Sequence, residues 1–310
     1  MEIMKKILLL LSLLFLSSMV IAQDEDAQSE ESTEETTEEE QSPWKMGGNF
    51  AFLINQSTFN DDWLGGGVSN YSANLLVSYD INYKKEKLTW DTKFLGDYGV
   101  TRTKDQDFDR KTNDRLEVNS VLGYQMGESK WSYSGMLNFR TQFAPGYIFD
   151  RDADGNETRT LQTEFMSPAF LQFGLGAQWR DSENLRVNLS PATGRVILAS
   201  SAFTTTAGYE DGDFFGLDAG KRARYEFGGA VNFYGKFKIM KGITAENFVN
   251  LYANYLEDFG NIDIDYTLNL VMKVNSIIST NFTFQAIYDD NAVKGFQVRQ
   301  VLGVGVNFAL

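Results

Sequence analysis

The 310-residue chain has no cysteine, no histidine and only four prolines. Without cysteine it forms no disulfide and offers no N-terminal cysteine for a lipid anchor. Without histidine it lacks Ser-His-Asp and Cys-His catalysis, imidazole general bases and histidine-ligated zinc or haem iron. Long apolar runs are scarce as well. The longest lies at the start, where Lys5 and Lys6 precede Ile7 to Leu16, followed by Ser17, Ser18 and Ala22. A basic start, a short apolar core and small residues before a cut describe a signal peptide over residues 1–22, with cleavage expected between Ala22 and Gln23. That core is too short to span a bilayer as a helix, and nothing later supplies the roughly 18 continuous apolar residues a spanning helix needs.

Residues 23–42 lack almost everything a core requires. From Asp24 to Ser42 there are ten acids, no base and one apolar residue, Ala27. Such a tract cannot bury enough surface to offset the entropy of ordering, so a disordered acidic leader is expected. Most of the formal net charge of −14 belongs to it. Export without a spanning helix places the rest in the periplasm, the outer membrane or outside the cell.

What residues 43–310 do contain is alternation. Tyr71, Ala73, Leu75, Val77, Tyr79, Ile81 and Tyr83 share one face of a segment whose other face carries Asn70, Ser72, Asn74, Ser78, Asp80 and Asn82. About twelve such segments follow one another, ending with Leu302, Val304, Val306, Phe308 and Leu310 on one side. Their polar faces are mainly Asn, Ser, Gln, Gly and charges of both signs, whereas a solvated face would be rich in Lys and Glu. The connections alternate between tight (84–86, 127–130, 181–184, 240–246, 275–276) and mostly longer (57–68, 104–111, 144–165, 191–220, 289–294), with 259–260 a short exception. The expected architecture is all-β: a transmembrane antiparallel up-and-down barrel of about twelve strands, lipid outside and water within. An even count puts both termini on the periplasmic side. Trp44, Tyr83, Trp90, Trp131 and Trp179 near strand ends suit an interfacial aromatic girdle. The least regular stretches are the seventh segment, cut short at Pro191, and the ninth, placed at 247–258 with weak alternation.

Three groups of residues are candidates for function. Arg115, Glu117, Arg140, Arg224, Glu226, Asp263, Asp265, Lys273 and Arg299 fall on inward faces. Charges inside a narrow barrel need partners, so one reading is a cross-braced lumen and the other a narrow solute path with acidic and basic walls. Whether loops 57–68 and 191–220 plug that lumen bears directly on the choice. Trp63 beside Gly65, Gly66 and Gly67 forms a loop suited to capping the barrel mouth or anchoring a partner. Asp150, Asp152 and Asp154, with Gly155, match the start of a calcium loop. Position 12, however, is Leu161 rather than Glu, and a solvated turn has the same composition. Calcium is therefore a possible structural ion, and no cofactor is required.

No acid pair stands out from ordinary luminal charge, so the chain is expected not to be an enzyme. The leading expectation is an accessory or structural outer-membrane barrel docking with a larger envelope protein complex. The alternative is a passive, porin-like channel for small solutes. Expected partners are outer-membrane lipid and, during insertion, the outer-membrane assembly machinery; nothing points to nucleic acid.

The Trp63, Gly65-Gly66 and Asn70 arrangement, the alternating strand Tyr71 to Tyr79 and Leu88 to Asp91 beyond the hairpin resemble a family of uncharacterised Bacteroidota outer-membrane proteins, domain of unknown function 3078. The Leu189-Ser190-Pro191 stretch and the glycine-rich last strand extend the resemblance over roughly 43–310. It implies a Gram-negative host of that phylum and an outer-membrane barrel. It carries no assigned chemistry, and it does not include the acidic leader.

Overall fold

The computed structural model describes residues 42–59, 68–257 and 259–310. The signal peptide, nearly all of the acidic leader, and the loop with Trp63, Gly65, Gly66 and Gly67 lie outside the described residues. In chain order the strands are β1 (Trp44–Ser57), β2 (Asn70–Lys85), β3 (Leu88–Thr103), β4 (Arg110–Gln125), β5 (Trp131–Thr141), β6 (Gly146–Arg151), β7 (Glu157–Thr163), β8 (Ala169–Ser182), β9 (Leu185–Leu198), β10 (Ala223–Met240), β11 (Ile243–Asn254), β12 (Ile262–Lys273), β13 (Ile278–Asp289) and β14 (Val293–Ala309). One helical turn, α1 (Ser201–Thr204), lies between β9 and β10.

Twelve of these strands close into one antiparallel barrel, in the ring order β1-β14-β13-β12-β11-β10-β9-β8-β5-β4-β3-β2. Closure is by β1 against β14, from Asn49↔Ala309 to Ile54↔Val304. Strands β6 and β7 stand apart as a hairpin, Tyr147↔Leu161 to Arg151↔Glu157, within what the sequence reads as a plain loop.

Burial along the strands is inverted relative to a water-soluble sheet. On β3, Phe94 is 39% exposed while Lys93 and Asp97 are each 4% exposed. On β10, Tyr225 is 75% exposed and its neighbour Glu226 only 6%. Exposed Phe296, Val298, Leu302 and Val304 continue the apolar exterior on β14. A sheet that turns aromatic and aliphatic side chains outward and buries its charges suits hydrocarbon outside and polar contacts within. Trp44, Tyr83 and Trp90 sit opposite one another across β1, β2 and β3 near the short-turn end, forming part of an aromatic girdle.

Two strands differ from expectation. β9 runs through Pro191 to Leu198, so the long connection is 199–222 rather than 191–220. Proline lacks an N–H to give to a ladder, but the pairing skips it on both sides. Register shifts between Ser190 and Thr193 against β10, and between Leu189 and Ala192 against β8. A bulge is where an interior strand tolerates proline. It also brings backbones together, for a Cβ on Gly176 would lie 1.8 Å from the Leu189 carbonyl oxygen. The ninth barrel strand, β11, starts at Ile243, immediately after Lys241-Gly242, where Gly242 turns at φ 82°.

Candidate functional site

The barrel interior gathers most of the charged residues singled out from sequence, and their pairing follows from ring order. Lys93 on β3 and Glu246 on β11 lie on strands six positions apart in either direction around the ring. The Lys93 ammonium nevertheless donates to the Glu246 carboxylate at 3.1 Å, and to Asp80 on β2 at 3.1 Å. The Tyr234 hydroxyl donates to the same Glu246 oxygen at 2.6 Å, and the Arg186 guanidinium lies 4.2 Å from the Tyr234 ring centroid. Nearby, Arg180 on β8 pairs with Asp91 on β3. These contacts join opposite walls near the short-turn end.

Nearer the long loops the bracing continues. Arg115 binds Asp97 at 2.8 Å and lies 3.5 Å from Glu117. Arg140 on β5 pairs with Asp265 on β12, five strands away around one side of the ring. The other Asp265 oxygen accepts from Gln285 at 2.9 Å, and Arg299 donates to Gln285 at 2.7 Å and to Asn113 on β4. Arg195 binds Glu226 at 2.6 Å and also pairs with Asp263 on β12. Arg224 binds Glu226 at 2.9 Å and Glu257 at 2.5 Å. Burying a charge in a narrow lumen is costly unless it is paired; here Arg140–Asp265 and Arg195–Asp263 join strands that are not neighbours, while Arg115–Asp97, Arg195–Glu226 and Arg224–Glu226 pair along the wall.

Of the residues picked out by inward alternation, Arg115, Glu117, Arg140, Arg224, Glu226, Asp263, Asp265 and Arg299 enter these networks. Lys273 does not. It is the exposed last residue of β12, and among the described residues it makes no ion pair. Lys93 falls on the polar face of its alternating segment with Asp91 and Asp97, whereas Arg195 and Glu246 lie in an expected loop and an expected turn, although each is central.

The connection 199–222 folds over the mouth at the long-loop end of the barrel. Leu217 is fully buried with Phe170, Ile197 and Ala199, and Phe214 and Phe215 pack against them. The Arg224 guanidinium donates to the Gly216 carbonyl at 2.9 Å and so ties the connection to the luminal network. Behind it lies a cavity of about 350 Å³ lined by Lys111, Arg140, Phe170, Phe215, Asp289 and Arg299, among others. The lumen below retains smaller spaces, the largest about 110 Å³ between Lys93, Arg115, Tyr234 and Phe248.

Asp150, Asp152 and Asp154 are at the tip of the β6–β7 hairpin and do not converge. Asp152 Oδ1 accepts from the backbone N–H groups of Asp154 and Asn156 at 3.0 and 2.8 Å, and Oδ2 accepts from the Asn156 side chain at 3.1 Å. The Asn156 amide above all holds the Asp152 carboxyl below its ordinary value. Glu157, at the base of that tip, fastens the hairpin to its neighbour. It accepts from the N–H groups of Asp107 and Phe108 at 2.9 and 3.2 Å and pairs with Arg110. Arg110 in turn stacks on Phe149, its guanidinium carbon 3.4 Å from the ring centroid. The hairpin is thereby clamped to the β3–β4 connection.

Residues 54–147 match the family model described as Protein of unknown function (DUF3078). That span runs from the later part of β1 into β6 and contains the Tyr71–Tyr79 and Leu88–Asp91 features. The Leu189-Ser190-Pro191 stretch and the last strand fall outside it, so the match is narrower than the resemblance read from sequence. No curated protein matches the chain. Solved structures similar to it include the translocator domain of autotransporter NalP from Neisseria meningitidis, at 9% identity over 87% of this chain and 90% of that one, TM-score 0.38. The COG4313 outer membrane channel from Pseudomonas putida F1 is similar at 11% identity over 86% and 95%, TM-score 0.36. The outer membrane channel DcaP of Acinetobacter baumannii is similar at 8% identity over 86% and 97%, TM-score 0.30.

Proposed function

We propose that this chain is a non-enzymatic outer-membrane barrel with a closed lumen, acting as an accessory or structural component that docks with other envelope proteins. The observation that carries this reading is the Lys93–Glu246 bond between diametrically opposed strands, which puts a paired ammonium and carboxylate in the path of any solute. The Phe215–Leu217 cover at the outer mouth adds a second obstruction. With the bore closed, function falls to the surface. The clamped β6–β7 hairpin holds Ile148 exposed, and the β11–β12 connection exposes Leu256 and Phe259. Exposed apolar residues on such connections suit recognition of a protein partner.

The proposed orientation has the short-turn end and the acidic leader in the periplasm of a Bacteroidota host, with insertion by the outer-membrane assembly machinery. Lys84, Lys85, Lys87, Lys130, Lys238 and Lys241 cluster at the short-turn rim, where anionic phospholipid favours basic residues. Purification in mild detergent tests the docking reading. It should recover a larger envelope protein in fixed proportion, whereas a clean monomer in several mild detergents would contradict it.

The second reading, a narrow passive channel, is favoured by the charged cavities that remain between Arg115, Arg140 and Asp265. It requires the Lys93–Glu246 brace to open. If it holds, neutralising Arg115, Arg140 and Arg224 together should shift ion selectivity toward cations.

A further inference from the structure

The short-turn half of the lumen sets two guanidiniums against each other. Arg180 on β8 and Arg186 on β9 are direct partners in the β8–β9 register, so both project from the inward face. Like charges directly opposed on a sheet are destabilising, and a shared anion removes that cost. We propose that Arg180 and Arg186 bind a phosphate group that enters from the short-turn end. A guanidinium offers a planar fork of N–H donors that meets phosphate oxygens two at a time.

The acids nearby are already engaged. Asp91 pairs with Nη2 of Arg180, and Glu183 accepts from Lys45 at 2.7 Å. Asp80 and Glu246 share Lys93, and the Tyr234 hydroxyl takes up the same Glu246 oxygen. Among the described residues Arg186 has no ion pair. Its one hydrogen bond, from Nη1 to the Glu183 backbone carbonyl, is a long 3.4 Å. Its guanidinium rests against the Tyr234 ring, which leaves in-plane N–H groups for another partner. Lys236, directly opposite Glu246 in the β10–β11 register, and Lys84 at the end of β2 also have no ion pair among the described residues. Three bases against the one surplus acid on Lys93 leave two positive charges in excess. A phosphate group carries about −1.5 to −2 at pH 7 and balances them, where a single carboxylate would not.

A separate observation concerns Arg180. Its Nε is buried and has no hydrogen-bond partner, and a buried donor on a charged group is costly to leave unmade. Space is present beside its partner, for Arg186 lines the 110 Å³ lumen cavity together with Lys93 and Tyr234. Trp131 and Trp179 are paired next to Arg180, which sets the two arginines at the level of the aromatic girdle. Both face the lumen rather than lipid. A free phosphate therefore reaches them through water, whereas a lipid headgroup would have to fold over the short-turn rim. The Lys93–Glu246 brace lies beside the site, so the bound group is held at this end of the barrel. The site depends neither on a docking partner nor on whether the brace opens.

Calorimetry of the full-length barrel, folded in detergent and titrated with sodium phosphate at constant ionic strength in sodium chloride, tests the site. One phosphate should bind per barrel. Arg186→Gln should weaken it by at least about tenfold, as expected for lost hydrogen bonds to a charged group, with heat-modifiable gel migration unchanged. Arg186→Lys, which keeps the charge but not the fork, should weaken it a few-fold. Lys87→Gln, at the exposed β2–β3 turn, removes the same charge and should leave the affinity as it is. Repeating the titration with a short-chain phosphatidylglycerol separates the two sources. Undiminished heat is expected for a free phosphate, and a competed heat assigns the same site to a lipid headgroup. Absence of phosphate heat in the unaltered protein would overturn the proposal. So would unchanged affinity in folded Arg186→Gln or, should that variant not fold, in Arg186→Lys. An equal loss in Lys87→Gln would reduce the binding to diffuse charge and overturn it as well.

Discussion

Lys93 and Glu246 bond at 3.1 Å across the lumen, from strands on opposite sides of a twelve-membered ring. A membrane barrel gains little from burying its lipid-facing side chains against protein, because lipid is already apolar. Contacts that cross the interior therefore hold opposite walls in register, and these two residues join the walls at the short-turn half of the barrel.

Replacing Lys93 by Met leaves Asp80 and Glu246 without the ammonium that bonds to both. Breaking a buried pair by removing one partner costs about 3–5 kcal/mol, and urea-driven unfolding in lipid vesicles should show a loss of that order. The Lys93→Met, Glu246→Gln double variant should lose less than the sum of the singles. Additive losses would mean that the two groups do not interact.

Gly176 and Gly135 lie on paired strands but differ in the room around them. A Cβ at Gly176 would sit 1.8 Å from the Leu189 carbonyl oxygen, while at Gly135 the nearest atom is Leu175 Cδ2 at 3.7 Å. Gly176→Ala must push β8 and β9 apart at the Pro191 bulge and should cost about 1–3 kcal/mol. Gly135→Ala should stay within about 0.5 kcal/mol. Equal unfolding midpoints for the two variants would contradict the bulge geometry.

The clamp of the β6–β7 hairpin should respond to acid. Burial opposes the charge on Glu157, but Arg110 and the N–H groups of Asp107 and Phe108 outweigh it and hold the carboxyl below its ordinary value of 4.5. A depressed folded value means that the clamp is complete at neutral pH and is lost as pH falls through that lowered value. A nitroxide at position 154 should gain mobility only in acid below the ordinary carboxyl value of 4.5, and Glu157→Gln should show the mobile spectrum at pH 7. A spectrum at pH 7 that Glu157→Gln leaves unchanged would remove Glu157 from the clamp.

Much of the barrel is legible in the chain because the lipid-facing period is local. Tyr71 to Tyr83 shows it residue by residue, and β2 spans those positions. The strands that depart from expectation break the period for physical reasons. Pro191 reads as a strand end, but a bulge removes the need for its missing N–H. On β11, Phe248 and Tyr252 turn into the lumen beside Glu246 and Asn250, so apolar and polar residues share a face.

The candidate site is legible only as composition. Inward charges show in the alternation of Arg115, Glu117 and Arg140, but which acid meets which base depends on how the ring closes. Arg195 falls in an expected loop beyond Pro191, and Glu246 in an expected turn. Their partners, Asp263 and Lys93, come from strands distant in sequence. The clamp by Glu157 depends on a hairpin docking on the β3–β4 connection, which no local pattern announces.

The closed lumen is the central claim, and single-protein conductance in planar bilayers tests it most directly. The unaltered barrel should insert without steady ion current at neutral pH in ordinary salt. The Lys93→Met, Glu246→Gln variant, combined with Leu217→Asp to lift the outer cover, should conduct. A stable ohmic conductance from the unaltered protein would contradict the closed lumen and establish the channel reading.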